Sequence, residues 1–308
     1  MVFEVVNAPS KLPVSVIVVN YNAGLFLAEC VHSAHSSASE ILVVDNASTD
    51  LSLKLCAERF SNKSILKIIR NATNIGFAAA CNMGVGEATQ PYILFLNPDC
   101  VLSAGSLDRM VEVLEANPAA GMAGGLLVNA DGTEQEGSRR AIPTPWRSFV
   151  RAFGLYRFDR YWPSLFYDFH LHKQALPPAL VEVEAISGAL MLVRRTALQD
   201  VGLWDEGYFL HCEDLDWCMR FQQKGWRILF IPDAPVLHYK GACSRSRPIF
   251  VEWHKHKGMM RFYRKFFRQR YPAIVMWLVA IGVWLRFGAV ATFYAIRNAA
   301  RRLGLGRE

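Results

Sequence analysis

Apolar residues come in short dense runs along the first third of the chain, and polar residues close each run. "VSVIVVN" (14–20), "ILVVD" (41–45), "SILKIIR" (64–70) and "YILFLN" (92–97) are the four runs. Side chains alternate faces along a strand, so a run that is apolar on both faces predicts a strand covered on both sides. Helix-like stretches at 24–36, 50–60 and 77–89 separate the runs, and a fourth, 106–118, stops at Pro118. This alternation predicts an α/β fold: a doubly wound, mostly parallel sheet flanked by helices. Such sheets hold ligands at the carboxyl ends of their strands. Those ends are "NYNAG" (20–24), "DNASTD" (45–50), "NATNIG" (71–76) and "NPDC" (97–100), all polar and rich in Asn or Asp.

The pattern changes after residue 137. Residues 138–173 are dense in arginine and aromatic side chains. They predict either an ordinary amphipathic helix or a surface that faces membrane or acceptor. "VEAISGALMLVRR" (183–195) reads as one strand, 196–201 as a short helix, and 213–226 as an amphipathic helix closed by Gly225. "RILFIPD" (227–233) is a further strand, followed by "APVLHYKG". Residues 273–296 are apolar apart from Arg286, which divides them into pieces each too short to cross a bilayer. Lys255, Lys257, Arg261, Arg264, Lys265, Arg268 and Arg270 precede this stretch, and Arg297, Arg301 and Arg302 follow it. With Trp277, Trp284, Phe287 and Tyr294, the pattern predicts a peripheral or re-entrant helix on an anionic leaflet, a tilted span being the second choice. The expected division is a catalytic domain at 1–247 and a basic, membrane-associated extension at 248–308.

Composition narrows the partners. With 52% hydrophobic residues, the 308-residue chain can bury a core, and its net charge of +7 favours an anionic partner. Arginines cluster at 139–160 and 261–307. No nucleic-acid-binding motif accompanies them, so nucleic acid is not expected. The seven cysteines have no CxxC spacing and predict reduced thiols. "MVFEVVNAPSK" lacks the features of a secretory signal, which points the active part to the cytoplasm. Neither G-x-G-x-x-G after a strand nor a phosphate loop of the G-x-x-x-x-G-K-[ST] type occurs.

Four places carry candidate chemistry. Asp45, at a strand mouth, suits a ribose hydroxyl or a base N–H, while Ser48–Asp50 equally suit a turn and helix cap. Asp99 can hold a hard divalent cation together with a diphosphate, although Asn-Pro-Asp is also good turn chemistry. Glu213, Asp214 and Asp216 crowd the first turn of a helix beside His211. They complement the helix dipole, and one of them, desolvated, would serve as a general base. His238 follows an apolar strand, a common place for a satisfied histidine.

Together these stretches resemble the family 2 glycosyltransferases with the GT-A fold. "VSVIVVNYN", "ILVVDNASTD", "NIGFAAACNMGV", "ILFLNPDC", "ISGALMLVRR", "GLWDEGYFLHCEDLDWCMR" and "APVLHYKG" are similar to that family's successive motifs, in order, over roughly residues 13–245. The resemblance implies roles. Asn20, Asn22, Asp45, Asn46, Gly76 and Asn97 would bind the nucleotide-diphosphate sugar. Asp99 and His238 would hold Mg²⁺ or Mn²⁺, and Asp214 would be the catalytic base. Gly188, Trp204 and Glu213 would lie on the acceptor side. Asn97 replaces the first acid of the family's usual D-x-D. The details look most like rhamnosyltransferase-type members that build cell-surface polysaccharide, commonly from dTDP-rhamnose. That implies an inverting transfer to a glycan or polyprenyl-diphosphate-linked acceptor at the cytoplasmic face of the inner membrane. A nucleotidyltransferase and a non-catalytic sugar-binding relative are the alternatives.

Overall fold

The structure, a computed structural model, describes residues 11–60, 65–166, 169, 171–241 and 247–302. The N-terminal segment read for a signal (but for Lys11), Ser64 and Cys243 lie outside the described residues. Strands β1 (Leu12–Asn20), β2 (Ala38–Asp45), β3 (Leu66–Arg70) and β4 (Tyr92–Leu96) are parallel, in the order β3-β2-β1-β4. Helices α1 (Phe26–His35), α2 (Ser52–Arg59) and α3 (Phe77–Glu87) connect them. The apolar runs are continuous because both faces are covered. Val14, Val16, Val18, Ile41, Val43, Leu94 and Leu96 pack into one core layer, with residues of α1. Ile17, Val19, Leu42, Val44, Ile93 and Phe95 pack into the other, with residues of α3. Each such Val, Leu, Ile or Phe contributes about 1.5–3 kcal/mol by leaving water.

The second half completes the sheet with mixed directions. It adds β5 (Cys100–Leu102), α4 (Ser106–Ala116), β6 (Ala120–Val128), β7 (Arg139–Arg140) and α5 (Pro145–Ala152). Then come β8 (Val181–Glu182), β9 (Ala185–Ile186), β10 (Leu190–Arg194), α6 (Arg195–Val201), α7 (Glu213–Gln223) and β11 (Arg227–His238). β10 runs antiparallel between β4 and β6, while β11 is parallel to β6 and antiparallel to β5. The stretch expected as one strand over 183–195 is two: it breaks at Ser187–Ala189. β9 pairs with β7 in a separate two-stranded sheet, and β10 stays in the main one. β11 runs past the expected end at Asp233, through a register shift between Ile231 and Pro235, and brings His238 beside Cys100.

Two expectations about the C-terminal part need correction. α8 (Pro248–Phe267) is not part of a separate extension: Met260, Phe262, Tyr263, Phe266 and Phe267 are buried in the same core layer as Phe95 and Trp217. Two of its basic residues are also spoken for. Arg261 donates to Asp205, and Lys265 pairs with both Asp205 and the fully buried Asp216. A Cβ on Gly258 would meet the His211 carbonyl oxygen at 2.6 Å, so α8 lies directly on the turn before α7. The expected 247/248 boundary therefore falls inside one packed body. α9 (Ala273–Arg302) runs unbroken through Arg286, so the two short halves do not form, and by length and composition 273–300 suffices to cross a membrane. α9 folds back along α8. Trp253 packs on Trp284 and Phe287, and Val283 is buried, while Ile274, Trp277, Leu278, Ile281 and Leu285 face outward.

Candidate active site

The parallel register sets Asn20 beside Asp45, and Asp45 beside Arg70, at the strand mouths. The fully buried Asn20 donates through Nδ2 to Asp45 Oδ1 at 2.7 Å, Ser48 Oγ at 3.0 Å and Ser52 Oγ at 2.9 Å. Asp45 Oδ2 accepts from the Ser48 N–H at 3.1 Å. Asn22, in the left-handed region at φ 53°, accepts the N–H groups of Thr49 and Asp50. Asn46 donates to the Gly76 carbonyl at 3.1 Å and accepts from Asn71 at 2.9 Å. Asn20 Nδ2 and the Asn46 amide thus hold the loops in place, while the buried Asn20 Oδ1 has no partner among the described residues. Gly76 is glycine for two reasons: φ is 91°, and a Cβ would meet the Phe209 carbonyl oxygen at 2.8 Å.

β4 ends in the Asn97-Pro98-Asp99 turn, closed by the Cys100 N–H donating to the Asn97 carbonyl at 3.0 Å. Asp99 is buried, and its Oδ1 lies 3.2 Å from His238 Nε2. Asp99, Cys100 and His238 bring their ligand atoms within 4.8 Å of one another. Gln135, which the sequence reading passed over, decides the histidine's chemistry. Its Nε2 donates to the His238 carbonyl at 3.1 Å and to Asn129 Oδ1 at 3.0 Å. The amide oxygen is therefore the atom 2.5 Å from His238 Nδ1. That nitrogen must carry a proton, which fixes the ring with Nε2 facing Asp99. A carboxylate and an oriented imidazole fit a divalent cation that also takes diphosphate oxygens.

The acid cluster sits beside this turn through the β9–β10 break. The Asn97 N–H donates to the Ala189 carbonyl at 2.9 Å, and the neighbouring Gly188 N–H donates to Asp214 Oδ2 at 3.1 Å. A Cβ on Gly188 would lie 3.2 Å from the Asp214 Cβ, so only a small residue admits this approach. Asp214 Oδ1 accepts from the Leu215 N–H at 2.8 Å, and Arg140 closes an ion pair on Oδ2. Burial pushes the Asp214 pKa up, but Arg140 and the two backbone N–H groups outweigh it and hold the carboxyl below its ordinary value. The base candidate is therefore ionised at neutral pH. Glu213 is its opposite. Burial first, then the Asp214 charge, pushes it up to about 8, and its Oε2 has no partner among the described residues. Burial and Lys255 push His211 down to about 4, so it is neutral. His211 and Cys212 both have left-handed backbone, at φ 69° and 70°, an uncommon state for such residues immediately before a functional turn.

The remaining expectations separate. Gly188 and Glu213 lie at the Asp214 cluster, but Trp204 does not. It is 2% exposed and packs against Phe77, Phe95 and Trp217, so its indole belongs to the core and cannot line an acceptor groove. Arg140 is the second residue the sequence reading passed over. Asp216, the third acid of the turn, is structural: it accepts from Arg220 at 2.7 Å and pairs with Lys265 at 2.6 Å. The six described cysteines are buried and unbridged, and burial raises the pKa of Cys56, Cys81, Cys212 and Cys218.

Known proteins resemble this chain in sequence and in fold. The family model described as glycosyl transferase family 2 matches residues 15–201. A Mycobacterium tuberculosis protein named N-acetylglucosaminyl-diphospho-decaprenol L-rhamnosyltransferase is 28% identical over 94% of this chain and 96% of its own. Among solved structures, GalNAc-T7 with UDP, GalNAc and Mn²⁺ superposes with a TM-score of 0.61 at 18% identity, covering 84% of this chain and 49% of that one. A Pyrobaculum calidifontis mannosyltransferase with GDP-Man and Mn²⁺ gives 0.56 at 16% identity, covering 98% and 78%. These two likenesses concern the fold.

Proposed function

The chain belongs to glycosyl transferase family 2 and is a glycosyltransferase, and from that premise we propose an inverting transfer of L-rhamnose, from dTDP-rhamnose, to a hydroxyl of a polyprenyl-diphosphate-linked glycan at the cytoplasmic face of the membrane. The observation that carries the chemistry is the ionised Asp214, held by Gly188, Leu215 and Arg140 beside the Asp99–His238 pair. The choice of sugar and acceptor is supported by the printed name of the mycobacterial relative, which this chain matches nearly end to end.

Asp214 takes the proton of the acceptor hydroxyl while that oxygen attacks the anomeric carbon. The bond to the nucleoside diphosphate breaks on the opposite face, so one displacement inverts the centre. A divalent cation held by Asp99 and His238 would offset the charge that the diphosphate gains. Asp45 and the loops pinned by Asn20, Asn22 and Asn46 hold the nucleoside, with Gly76 and Asn97 bordering it. Glu213, largely protonated below a pH of about 8, presents a neutral acid to the acceptor side. The outward apolar face of α9 holds the enzyme at the membrane where such an acceptor resides.

The test is a screen of nucleotide sugars with Mg²⁺ or Mn²⁺ and a polyprenyl-diphosphate glycan, read as nucleoside diphosphate release and product formation. Asp214→Asn should lose on the order of a hundredfold or more in transfer while keeping donor affinity. Asp99→Ala should weaken donor binding instead. Equal rates for wild type and Asp214→Asn would remove the base assignment.

A further inference from the structure

Helix α5 buries Val150 but leaves its aromatic residues outside. Thr144 caps it, accepting from the Arg147 N–H at 3.2 Å, and Pro145 opens its first turn. Its polar residues turn inward. Arg147 makes a two-pronged ion pair with Glu184 at 2.6 and 3.0 Å, Arg151 pairs with Glu136 at 3.6 Å, and Ser148 meets Tyr263 at 2.6 Å. Its aromatic residues turn outward. Trp146, Phe149 and Phe153 are 41, 44 and 68% exposed, and they stack on one another at 5.5 and 4.6 Å. A contiguous exposed aromatic cluster of this kind marks an interaction surface.

The next segment extends the same face. Phe158, Tyr161, Trp162 and Leu165 are exposed, and the Trp146 indole donates to the Leu165 carbonyl at 2.7 Å, tying both stretches into one surface. Its exposed charges are Arg157 and Arg160 against Asp159. A groove of about 730 Å³ between Trp146, Leu165 and Tyr271 joins this surface to the start of α9, whose outer side is also apolar. Aromatic rings with a basic rim, continuous with a long apolar helix, match the headgroup region of an anionic bilayer.

We propose that the aromatic face of α5 and residues 153–166 is a second membrane-contact surface, docking on anionic phospholipid beside α9. The inference rests on the reading above that the enzyme works at a membrane, but it is tested without catalysis. The full chain is bound to phosphatidylcholine vesicles with and without phosphatidylglycerol. Quenching by brominated acyl chains is compared between wild type and Trp146→Phe, so that the difference reports Trp146. The Trp146 signal should be quenched in vesicles and unquenched in detergent lacking bromine. The triple variant Trp146→Ser, Phe149→Ser, Phe153→Ser, all surface positions, should partition roughly tenfold more weakly, and Arg157→Gln with Arg160→Gln should lower the phosphatidylglycerol dependence. Unquenched Trp146 together with unchanged partitioning of the triple variant overturns the proposal. So does a triple variant that changes the oligomeric state rather than vesicle binding, which would make the face a contact between copies of the chain. Failure of rhamnosyl transfer with vesicle binding intact would count against the proposed substrate alone.

Discussion

At the scale of single residues, the site works by giving neighbouring groups opposite environments. Asp214 has three donors and stays charged, while Glu213 has a buried oxygen without a partner and stays protonated. For Glu213 the folded pKa lies above the unfolded one. Its contribution to stability is full below the ordinary carboxylate range and is lost as pH rises towards about 8. Glu213→Gln removes that slope. Thermal melts should show the difference between variant and wild type shifting in the variant's favour from a pH of about 5 to about 8, then levelling; a difference independent of pH would contradict the burial argument. Gln135 poses a different question, because its side chain bonds to both ends of His238, at Nδ1 and at the carbonyl, and to Asn129. Gln135→Met frees the imidazole to take either tautomer. Mn²⁺ binding in the presence of nucleotide should weaken roughly 10- to 100-fold, as losses of an outer-shell partner typically do. Unchanged Mn²⁺ affinity would place the cation elsewhere.

At the scale of elements, close backbone approaches decide which parts must stay fixed. Gly258 of α8 touches the His211 carbonyl one step from the acid cluster, whereas a Cβ on Gly86 of α3 would meet open space. Gly258→Ala should therefore destabilise by about 1–3 kcal/mol and lower kcat, since either α8 or the turn before Asp214 must move. Gly86→Ala should stabilise by about 0.5–1 kcal/mol with activity unchanged. Denaturant unfolding checks both, and equal effects would mean that the close approach is relaxed. The first four strands and their polar mouths were legible because a run buried on both faces can be read locally. The helix carrying Asp214 was legible because its amphipathic period and the Gly225 stop are also local signals. Arg140 and Gln135 were not, because their partners lie 74 and 103 residues away and only the β7–β9 pairing and the β11 register bring them together. The break at Gly188 hid inside an apolar run that reads as one strand. The charges of α8 pointed to a membrane because a sequence does not show that Arg261 and Lys265 face Asp205 and Asp216.

At the scale of the whole molecule, α8 and α9 follow one another in sequence but do different work. α8 places seven buried residues against the body and clamps the loop and helix that carry Asp205 and Asp216. α9 covers α8 through Val283, Trp284 and Phe287, and otherwise turns apolar side chains outward. Truncation after Tyr271 exposes Trp253 and one side of α8 and takes Val283, with Met276, Val279 and Ala280, from the edge of the core layer, but leaves the rest of that layer and the ion pairs of α8 in place. Truncation after Arg247 removes Met260, Phe262, Tyr263, Phe266 and Phe267 from that layer and strands the fully buried Asp216 with Arg220 and Tyr208. Loss of a single large core side chain costs about 2–5 kcal/mol, so losing five costs about 10–25 kcal/mol, enough to offset the roughly 5–15 kcal/mol that holds a typical domain together. The shorter chain should fail to fold. The chain ending at Tyr271 should keep a cooperative melt and bind nucleotide sugar, with vesicle binding reduced to what the α5 surface supplies. Near-ultraviolet circular dichroism and vesicle flotation separate these outcomes. A folded chain ending at Arg247 would restore the boundary between catalytic body and extension that the basic residues of α8 first implied.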